Sequence, residues 1–396
     1  MRIPRCKNPY TVMETKKKVL ISGMGVAGVI CAILLDKEKY EVELIERADT
    51  FRNIGFSIIL WKAGFEHLTR LLAVNKEFIK PEKDYFRVRK FILFGGNILR
   101  VLRIFDSDGY GWAFERAYLM HILERVLFKQ VRKEQIAFSK TIRTIQHTDI
   151  GVTVTFNDGA EKPYDIIIIA EGIHSTSRKL VPVGERITPT PFLLRYAWFA
   201  TETILRDYAA IFFSRGHLGV IHPPYFKNLF GFYFNKGLSI ESQRAFERMA
   251  LQRIKQPNGA SATLDATTND TFELQEVHID TYAFKRIVFV GDAAHGRPPT
   301  LGFGTSLAIE DAALVCKKLN ELDDGSSAQI YAALASFSKN QIERVESVYR
   351  FQNLIHRLCI TQDPVRVFFL SWAIQLFLWR WVEGKIKKLA SYEFNY

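Results

Sequence analysis

The hydrophobic pattern near the start of the chain predicts a strand, a helix and a second strand. Lys18–Ser22 is a short apolar run, Val26–Leu35 carries the apolar face of a helix, and Glu41–Ile45 alternates as a strand does. Two strands and a helix within about 30 residues form a βαβ unit, in which the strands are parallel. The pattern therefore predicts the beginning of an α/β fold.

Two later runs have no polar side. Ile166–Ala170 contains four consecutive isoleucines, and Arg286–Val290 returns to the same pattern much further along the chain. Strands of a parallel sheet that is covered on both faces have this continuous apolar character. Both runs are therefore predicted to join the sheet of the βαβ unit, which makes the first domain discontinuous in sequence.

The segment 185–284 has a different pattern, rich in aromatic side chains and turn formers. Closely spaced strand formers of this kind predict a second, largely antiparallel domain. Upstream, Tyr85–Phe94 and Ile98–Phe105 are β-rich runs joined by Gly95, Gly96 and Asn97, which predicts a hairpin. We assign this hairpin to the second domain.

The remaining patterns complete the predicted fold class, which is α/β. Arg116–Gln130 carries a helical apolar stripe, Ile136–Gln146 and Val152–Phe156 are strand-like, and the chain is mostly helical after Ser306–Leu319. We expect a Rossmann-like nucleotide-binding domain with an inserted, mainly antiparallel β domain and a helical C-terminus. The expected boundaries are an N-terminal tail at 1–17, the discontinuous nucleotide-binding domain at 18–80, 106–184 and 285–330, the inserted domain at 81–105 and 185–284, and the helical region at 331–396.

A Gly-x-Gly-x-x-Gly motif lies between the first predicted strand and helix. The first glycine permits a tight turn, the second lets a pyrophosphate approach the backbone, and the third allows close packing of helix and strand. The helix N-terminus adds free N–H groups and partial positive charge. Glu46, at the end of the second strand, is placed to bind ribose hydroxyls. These features predict a dinucleotide site formed by Gly23, Gly25, Val26, Ala27, Gly28 and Glu46. Arg47 either contacts a phosphate of the dinucleotide, which we favour, or faces solvent.

A second glycine-rich segment follows the later apolar strand. Gly291 and Asp292 end that strand, so one carboxylate lies at the sheet edge, where it can bind a polyol. The turn Gly302–Ser306 then begins another helix. Two helix N-termini that face one crevice suit a pyrophosphate at one end and a second electron-rich group at the other.

Together with Glu171–Arg178, these motifs resemble the FAD-dependent aromatic hydroxylases, the class A flavoprotein monooxygenases, which include the tetracycline-inactivating monooxygenases. The resemblance covers about residues 18–330. It implies that Glu46 binds the adenosine ribose of FAD, that Asp292 binds its ribitol, and that Gly302–Ser306 lies under the pyrimidine edge of the flavin. Glu171 stands where the family has Asp, and Phe303 replaces a common polar residue.

The resemblance adds further residues to the cofactor site. Arg116 heads a helix where the family places an FAD-contacting arginine, and Arg52–Gly55 is similar to the family's Arg-x-x-Gly loop beside the flavin ring. His295 is expected to shape its loop rather than to carry a proton. The full set of expected cofactor contacts, with no metal ligand and no assigned catalytic residue, is Gly23, Gly25, Val26, Ala27, Gly28, Glu46, Arg47, Arg116, Gly172, Asp292, Pro299, Gly302, Gly304, Thr305 and Ser306.

The activity that the resemblance implies needs no protein nucleophile. NADPH or NADH reduces the flavin, dioxygen adds at the flavin C4a atom, and the hydroperoxide hydroxylates or epoxidises a hydrophobic, aromatic or polycyclic small molecule in a dry pocket. A reductase of the same fold and a flavin-binding protein without turnover remain alternatives. The Trp-x-Trp-x-Ile-Pro signature of flavin halogenases is absent, since Trp379-Arg380-Trp381 continues with Val382 and Glu383.

Charge and cysteine content limit the partners and the compartment. The chain carries 54 basic and 42 acidic residues, a net charge of +12, which favours anionic ligands such as NADPH. The basic residues are spread along the chain without a nucleic-acid motif, so no nucleic-acid partner is expected. Four cysteines without a C-x-x-C pair indicate a reducing, cytoplasmic setting.

The C-terminal segment Val365–Lys388 combines aromatic side chains with lysines and has two interpretations. It can be a helix that packs across the two domains, which we favour, or an interfacial anchor on an anionic membrane. Its most apolar part, Val367–Leu378, has 12 residues, fewer than the roughly 20 that are needed to cross a bilayer. The sequence leaves the oligomeric state open.

Overall fold

The computed structural model of the protein describes residues 15–51, 57–79, 86–88, 90–95, 98–102, 111–148, 150–199, 208–222, 228–253, 271–323, 325–373, 376 and 378–392. The predicted Arg52–Gly55 loop lies outside these residues.

A six-stranded sheet, parallel except at one edge, forms the centre of the first unit. In its middle strands, Val19 lies opposite Ile166 and Ile167 lies opposite Ile287. The predicted βαβ unit and both covered strands are present, and the α/β fold class is confirmed. In spatial order the strands are β18 (Ala283–Phe284), β19 (Ile287–Phe289), β12 (Ile166–Ile169), β1 (Lys17–Ser22), β2 (Tyr40–Ile45) and β8 (Ile136–Ala137).

A seven-stranded, mainly antiparallel sheet contains the predicted hairpin together with strands from the aromatic segment. The hairpin pairs Phe91 with Leu102, and its first strand runs parallel to the neighbouring strand. In spatial order the strands are β17 (Thr271–His278), β13 (Arg186–Phe199), β16 (Asn228–Asn235), β15 (His217–His222), β14 (Tyr208–Ser214), β5 (Lys90–Gly95) and β6 (Ile98–Leu102).

Two small antiparallel sheets of three strands complete the β-structure in the described part of the chain. One contains β3 (Ser57–Trp61), β7 (Gly111–Glu115) and β4 (Phe86–Val88), and the other contains β11 (Glu161–Tyr164), β10 (Val152–Phe156) and β9 (Ile142–His147). The predicted run Tyr85–Phe94 therefore holds two strands, β4 and β5, which belong to different sheets.

The helices pack against the sheets and form the end of the chain; the helix Ile240–Arg253 packs against the seven-stranded sheet. Among them the predicted helix Arg116–Gln130 has the bounds that its apolar stripe indicated. They are α1 (Val26–Leu34), α2 (Lys62–Val74), α3 (Arg116–Gln130), α4 (Ile240–Arg253), α5 (Asp292–His295), α6 (Gly304–Asn320), α7 (Ser327–Cys359), α8 (Pro364–Ala373) and α9 (Trp379–Ala390). Short 3₁₀ turns lie at Lys133–Gln135 and Ser177–Leu180.

The predicted strand Ile136–Gln146 is broken into β8 and β9. Ser139 adopts a positive φ of 54°, which a strand cannot contain. Its N–H donates to the carbonyl of Ala48, and the N–H of Lys140 donates to the carbonyl of Glu46. The chain therefore turns across the carboxyl end of β2 before the next strand begins.

The C-terminal segment is divided between two helices rather than forming one. Leu370 of α8 is buried against the seven-stranded sheet, while Ile386 and Leu389 of α9 are buried in the main core. Trp381 of α9 also contacts Phe351 of α7. In the structure, α9 and one side of α8 are thus packed against the rest of the protein.

Candidate cofactor site

The carboxyl ends of β1, β12 and β19 meet at one edge of the parallel sheet, and the three motifs follow them. Gly23 comes directly after β1 with a φ of 105°, and a Cβ atom there would lie 2.4 Å from the carbonyl oxygen of Ala170. Only glycine combines this conformation with so close an approach of two chains. The first glycine of the motif therefore brings the loops after β1 and β12 together.

The second and third glycines have different surroundings. A Cβ atom at Gly28 would lie 2.0 Å from the carbonyl oxygen of Gly23, whereas one at Gly25 would meet no protein atom within 4 Å. Gly28 thus packs α1 onto its own loop, and Gly25 faces open space. α1 begins at Val26, and no side chain of the described residues caps it. Its first N–H groups are available to an anion.

Glu46 is fixed against the glycine-rich loop from the end of β2. One carboxylate oxygen accepts a hydrogen bond from the N–H of Met24 at 2.8 Å, and the other accepts from the N–H of Ala48 at 3.0 Å. The carboxylate is half-buried and lines the cavity beside the loop. Its position is therefore set before any ribose hydroxyl binds.

Glu171, the departure from the family's Asp, is the centre of a serine cluster. Its oxygens accept hydrogen bonds from the hydroxyls of Ser22 and Ser177, each at 2.6 Å, and of Ser175 at 2.7 Å. The N–H of Ser177 adds a fourth at 3.2 Å. The extra methylene is accommodated because these short hydroxyl side chains reach the carboxylate, which ties the end of β1 to the loop after β12.

Arg178 joins the middle motif to the last one. The buried guanidinium donates to the carbonyls of Gly172, Ile173 and Ala293 and forms an ion pair with Glu185 at 2.6 Å. It contacts backbone on both sides of the crevice, so its role in this chain is to hold the two loops together. A buried arginine satisfied in this way is a structural anchor.

Two adjoining cavities, of about 490 Å³ and 260 Å³, form a groove along this sheet edge. They share Gly25, Arg116, Ala170 and Gly172, so we treat them as one groove. Most of the predicted contacts line it, namely Gly23, Gly25, Val26, Ala27, Glu46, Arg47, Arg116, Gly172, Asp292, Pro299, Gly302, Gly304 and Thr305.

Gly28 and Ser306 do not line either cavity. Gly28 is a packing position, as described above, and Ser306 is fully buried. The hydroxyl of Ser306 accepts a hydrogen bond from the N–H of Trp61 at 2.9 Å, which attaches α6 to the end of β3.

Phe303 is also buried and stacks on Trp61 with ring centroids 4.7 Å apart. The groove side of this turn is thus formed by Gly302, Gly304 and Thr305.

Several groove residues were not predicted from the sequence. Lys140 and Thr141 reach the groove through the turn at Ser139, and Lys140 forms an ion pair with Asp158 at 3.0 Å. Tyr196 enters from β13 and Arg297 from the loop after α5. The strand-like pattern around Ser139 does not show that this residue adopts a left-handed conformation. Nor does the pattern of β13 show that this strand reaches the groove.

Asp292 is the carboxylate at the inner part of the groove. Its side chain is accessible from the groove, but the protein packed around it raises its pKa by desolvation, and the charges of His295 and Arg116 oppose that rise. α6 begins nearby at Gly304, and no side chain of the described residues caps it. This part of the groove therefore offers one carboxylate that can accept hydrogen bonds and one helix N-terminus.

His295 is buried behind Asp292 and paired with Asp311. Nε2 of His295 lies 2.8 Å from a carboxylate oxygen of Asp311, and the same oxygen accepts from the N–H of Gly291 at 2.6 Å. The carbonyl of His295 accepts from the hydroxyl of Tyr349 at 3.0 Å. These contacts fix the loop after β19, in agreement with the loop-shaping role expected for His295.

The His295–Asp311 pair predicts a pH dependence of stability. Burial alone would lower the pKa of His295, but the charge of Asp311 and the hydrogen bond to it raise it overall. Because the pKa of His295 in the folded protein lies above the unfolded value of about 6.5, the stabilisation is complete below pH 6.5 and is lost as pH rises through the folded pKa.

The variant His295→Gln keeps a hydrogen-bond donor but cannot titrate. Its free energy of unfolding in urea should therefore no longer show this loss as pH rises. The exposed control His121→Gln should behave as wild type, and an unchanged profile in His295→Gln would contradict the assignment.

The residues of the groove fit FAD. They offer two uncapped helix N-termini, carboxylates at Glu46 and Asp292, and a glycine cradle at Gly25. A sequence model of an FAD binding domain matches residues 16–352. The chain belongs to this FAD-binding family. Both the predicted resemblance and the FAD cofactor are thereby confirmed, and the chain is an FAD-dependent oxidoreductase.

Individual relatives agree with this assignment. The 6-hydroxynicotinate 3-monooxygenase of Pseudomonas fluorescens is 23% identical over 96% of this chain and all of its own length. The crystal structure of Klebsiella pneumoniae HpxO complexed with FAD and uric acid is 18% identical, covers 94% of this chain and 96% of its own, and has a TM-score of 0.74. That of tetracycline destructase Tet(51) is 18% identical, covers 96% and 100%, and has a TM-score of 0.64. The two structures share the fold of this chain.

Proposed function

We propose that the protein is a monooxygenase that uses FAD, NADPH or NADH, and dioxygen to hydroxylate or epoxidise a hydrophobic, aromatic or polycyclic small molecule. The observation that carries the proposal is the groove that runs from Glu46 to Gly304. Residues from distant parts of the chain line it, and Tyr196 of the seven-stranded sheet lies at its inner part. A groove of this kind can hold a dinucleotide and present one end of it to a covered pocket.

The proposed contacts follow the order of groups along the groove. Glu46 would bind the adenosine ribose, the N-terminus of α1 the pyrophosphate, and Asp292 the ribitol. Arg47, Arg116 and Lys140 would add positive charge along the phosphates. When bound, FAD supplies electron transfer from the nicotinamide to dioxygen, and the chain supplies orientation, charge and exclusion of water.

The N-terminus of α6 would stabilise negative charge at the pyrimidine edge of the flavin. The partial positive charge of a helix N-terminus stabilises nearby negative charge by up to about 2 kcal/mol when it is partly buried. Gly302, Gly304 and Thr305 bring backbone rather than a bulky side chain to the groove. The turn would therefore favour the anionic, reduced form of the cofactor.

The seven-stranded sheet supports a water-poor substrate pocket. Burial raises the pKa of Tyr196, so its phenol stays neutral and can donate a hydrogen bond without adding charge. Behind it, Leu194, Phe213 and Tyr233 are buried in one apolar cluster. The names of related proteins mention 6-hydroxynicotinate and uric acid, which are planar heterocycles. These points favour a flat, largely apolar substrate.

The proposal is tested by assaying the purified FAD-loaded protein with a panel of planar aromatic and polycyclic compounds. NADPH or NADH oxidation and dioxygen uptake should rise together when a substrate is added, and oxygen from labelled dioxygen should appear in the product. Nicotinamide oxidation coupled to substrate reduction without dioxygen uptake would instead indicate a reductase. Binding of FAD and ligands without any stimulated turnover would indicate a flavin-binding protein.

A further inference from the structure

Helix α8 carries a stripe of large apolar side chains on its solvent side. Val365, Phe368, Phe369 and Trp372 are each between 56% and 65% exposed. Their spacing of three, four and seven residues places them on one face of the helix. Phe368 and Phe369 contact each other edge to face, and Leu376, which follows the end of α8, is 53% exposed. We call Val365, Phe368, Phe369 and Trp372 the aromatic stripe.

The opposite side of α8 already has a partner. Leu370 is buried with Phe192, Leu218 and Tyr233 of the seven-stranded sheet. The helix is therefore held in place by its inner side, and within the described residues the aromatic stripe is left facing outwards. Contiguous exposed apolar surface of this kind marks an interaction site.

The segment around the stripe is cationic. Between residues 357 and 388 the sequence has six Lys and Arg residues and two acidic ones. Both carboxylates already have partners, since Asp363 pairs with Arg366 at 3.3 Å and Glu383 pairs with Lys387 at 3.0 Å. The segment that contains the aromatic stripe therefore carries a net positive charge, which favours an anionic partner.

We propose that α8 is an interfacial helix that binds the surface of an anionic lipid membrane. Phenylalanine and tryptophan side chains insert at the boundary between headgroups and acyl chains, while neighbouring lysines and arginines contact anionic headgroups. None of the described helices combines the length and hydropathy needed to cross a bilayer. A second copy of the chain fits this surface less well, because the symmetric contact would bring two cationic segments together.

The test is flotation of the full chain with vesicles of phosphatidylcholine alone and of phosphatidylcholine mixed with phosphatidylserine. The wild type should float with the mixed vesicles, less with the neutral ones, and less at high salt. Phe368→Ser/Phe369→Ser/Trp372→Ser should lower the partition coefficient by about tenfold or more, since binding scales with inserted apolar area. A matched control replaces Val74, Phe78 and Ile150 by serine, because these side chains are 72% to 85% exposed elsewhere. It should float as the wild type does.

A charge variant tests the electrostatic part separately. Lys385→Glu/Lys388→Glu should reduce the preference for phosphatidylserine while leaving weak binding to neutral vesicles. Circular dichroism and FAD absorbance establish that each variant is folded. The proposal is overturned if the wild type does not float, or if the stripe variant floats equally well. It is also overturned if light scattering shows a stripe-dependent dimer without vesicle binding, which would make a second copy the partner.

Discussion

Replacing Gly28 with alanine is expected to destabilise the fold, whereas the same change at Gly25, three residues earlier, is expected to spare the fold and weaken FAD binding. The added methyl group at Gly28 would overlap the carbonyl oxygen of Gly23, and neither backbone can move freely. Overpacking of this kind costs about 1–3 kcal/mol and occasionally more. At Gly25 the methyl group would enter only the groove, where we propose that the pyrophosphate of FAD binds.

The two variants are separated by measuring the free energy of unfolding without FAD and the dissociation constant for FAD. Gly28→Ala should lose unfolding free energy in the absence of cofactor, while Gly25→Ala should match wild type. Gly25→Ala should bind FAD at least about tenfold more weakly, which corresponds to about 1.4 kcal/mol. Wild-type affinity in Gly25→Ala would show that the groove beside α1 does not hold the pyrophosphate.

Replacing Arg344 with methionine is expected to give the second large effect, a loss of about 3–5 kcal/mol of unfolding free energy. The guanidinium of Arg344 in α7 donates to both carboxylate oxygens of Glu310 in α6, at 3.0 and 3.2 Å, and to the carbonyl of Leu389 in α9. Arg344 and Glu310 are fully buried. Without Arg344, the Glu310 carboxylate would be buried without the guanidinium that neutralises its charge.

Urea unfolding measures this loss, and Arg350→Met, an exposed arginine of the same helix, is the matched control. Burial already raises the pKa of Glu310 in spite of Arg344. Removing Arg344 should raise that pKa further, so the deficit should shrink as pH falls and Glu310 becomes protonated. The double variant Glu310→Gln/Arg344→Met should recover much of the stability. A single variant as stable as the control would mean that the pair does not join the three helices.

The parts of the fold that the sequence predicted are those set by local patterns. The strand at Ile166 is a short, continuous run of β-branched residues, and the helix beginning at Arg116 carries an apolar stripe at helical spacing. The glycine motif was predicted on the same basis, because its turn is local. The prediction that the glycine motif and Asp292 contact the same cofactor came from the family resemblance, since the two segments are far apart in sequence.

The features that were missed depend on contacts between distant residues. The break before Lys140 requires the left-handed conformation of Ser139, which its neighbours in sequence do not signal. Arg178 ends the middle motif, and its hydrogen bonds to three carbonyls and its ion pair with Glu185 join segments that the sequence does not show to be neighbours. The division of the C-terminal aromatics between α8 and α9 depends on which surface each helix meets, and composition alone does not determine that.

The central claim is that Asp292 and the glycine loop after β1 hold one FAD molecule, and FAD retention by Asp292→Ala tests it most directly. The variant should be purified beside wild type and beside Asp280→Ala, which removes an exposed carboxylate paired with Arg186 outside the groove. Absorbance in the visible range and titration of the apoprotein then give the bound fraction and the dissociation constant. We predict that wild type and Asp280→Ala retain FAD, while Asp292→Ala is isolated largely as apoprotein with a near-native circular dichroism spectrum. Undiminished FAD affinity in Asp292→Ala would contradict the account.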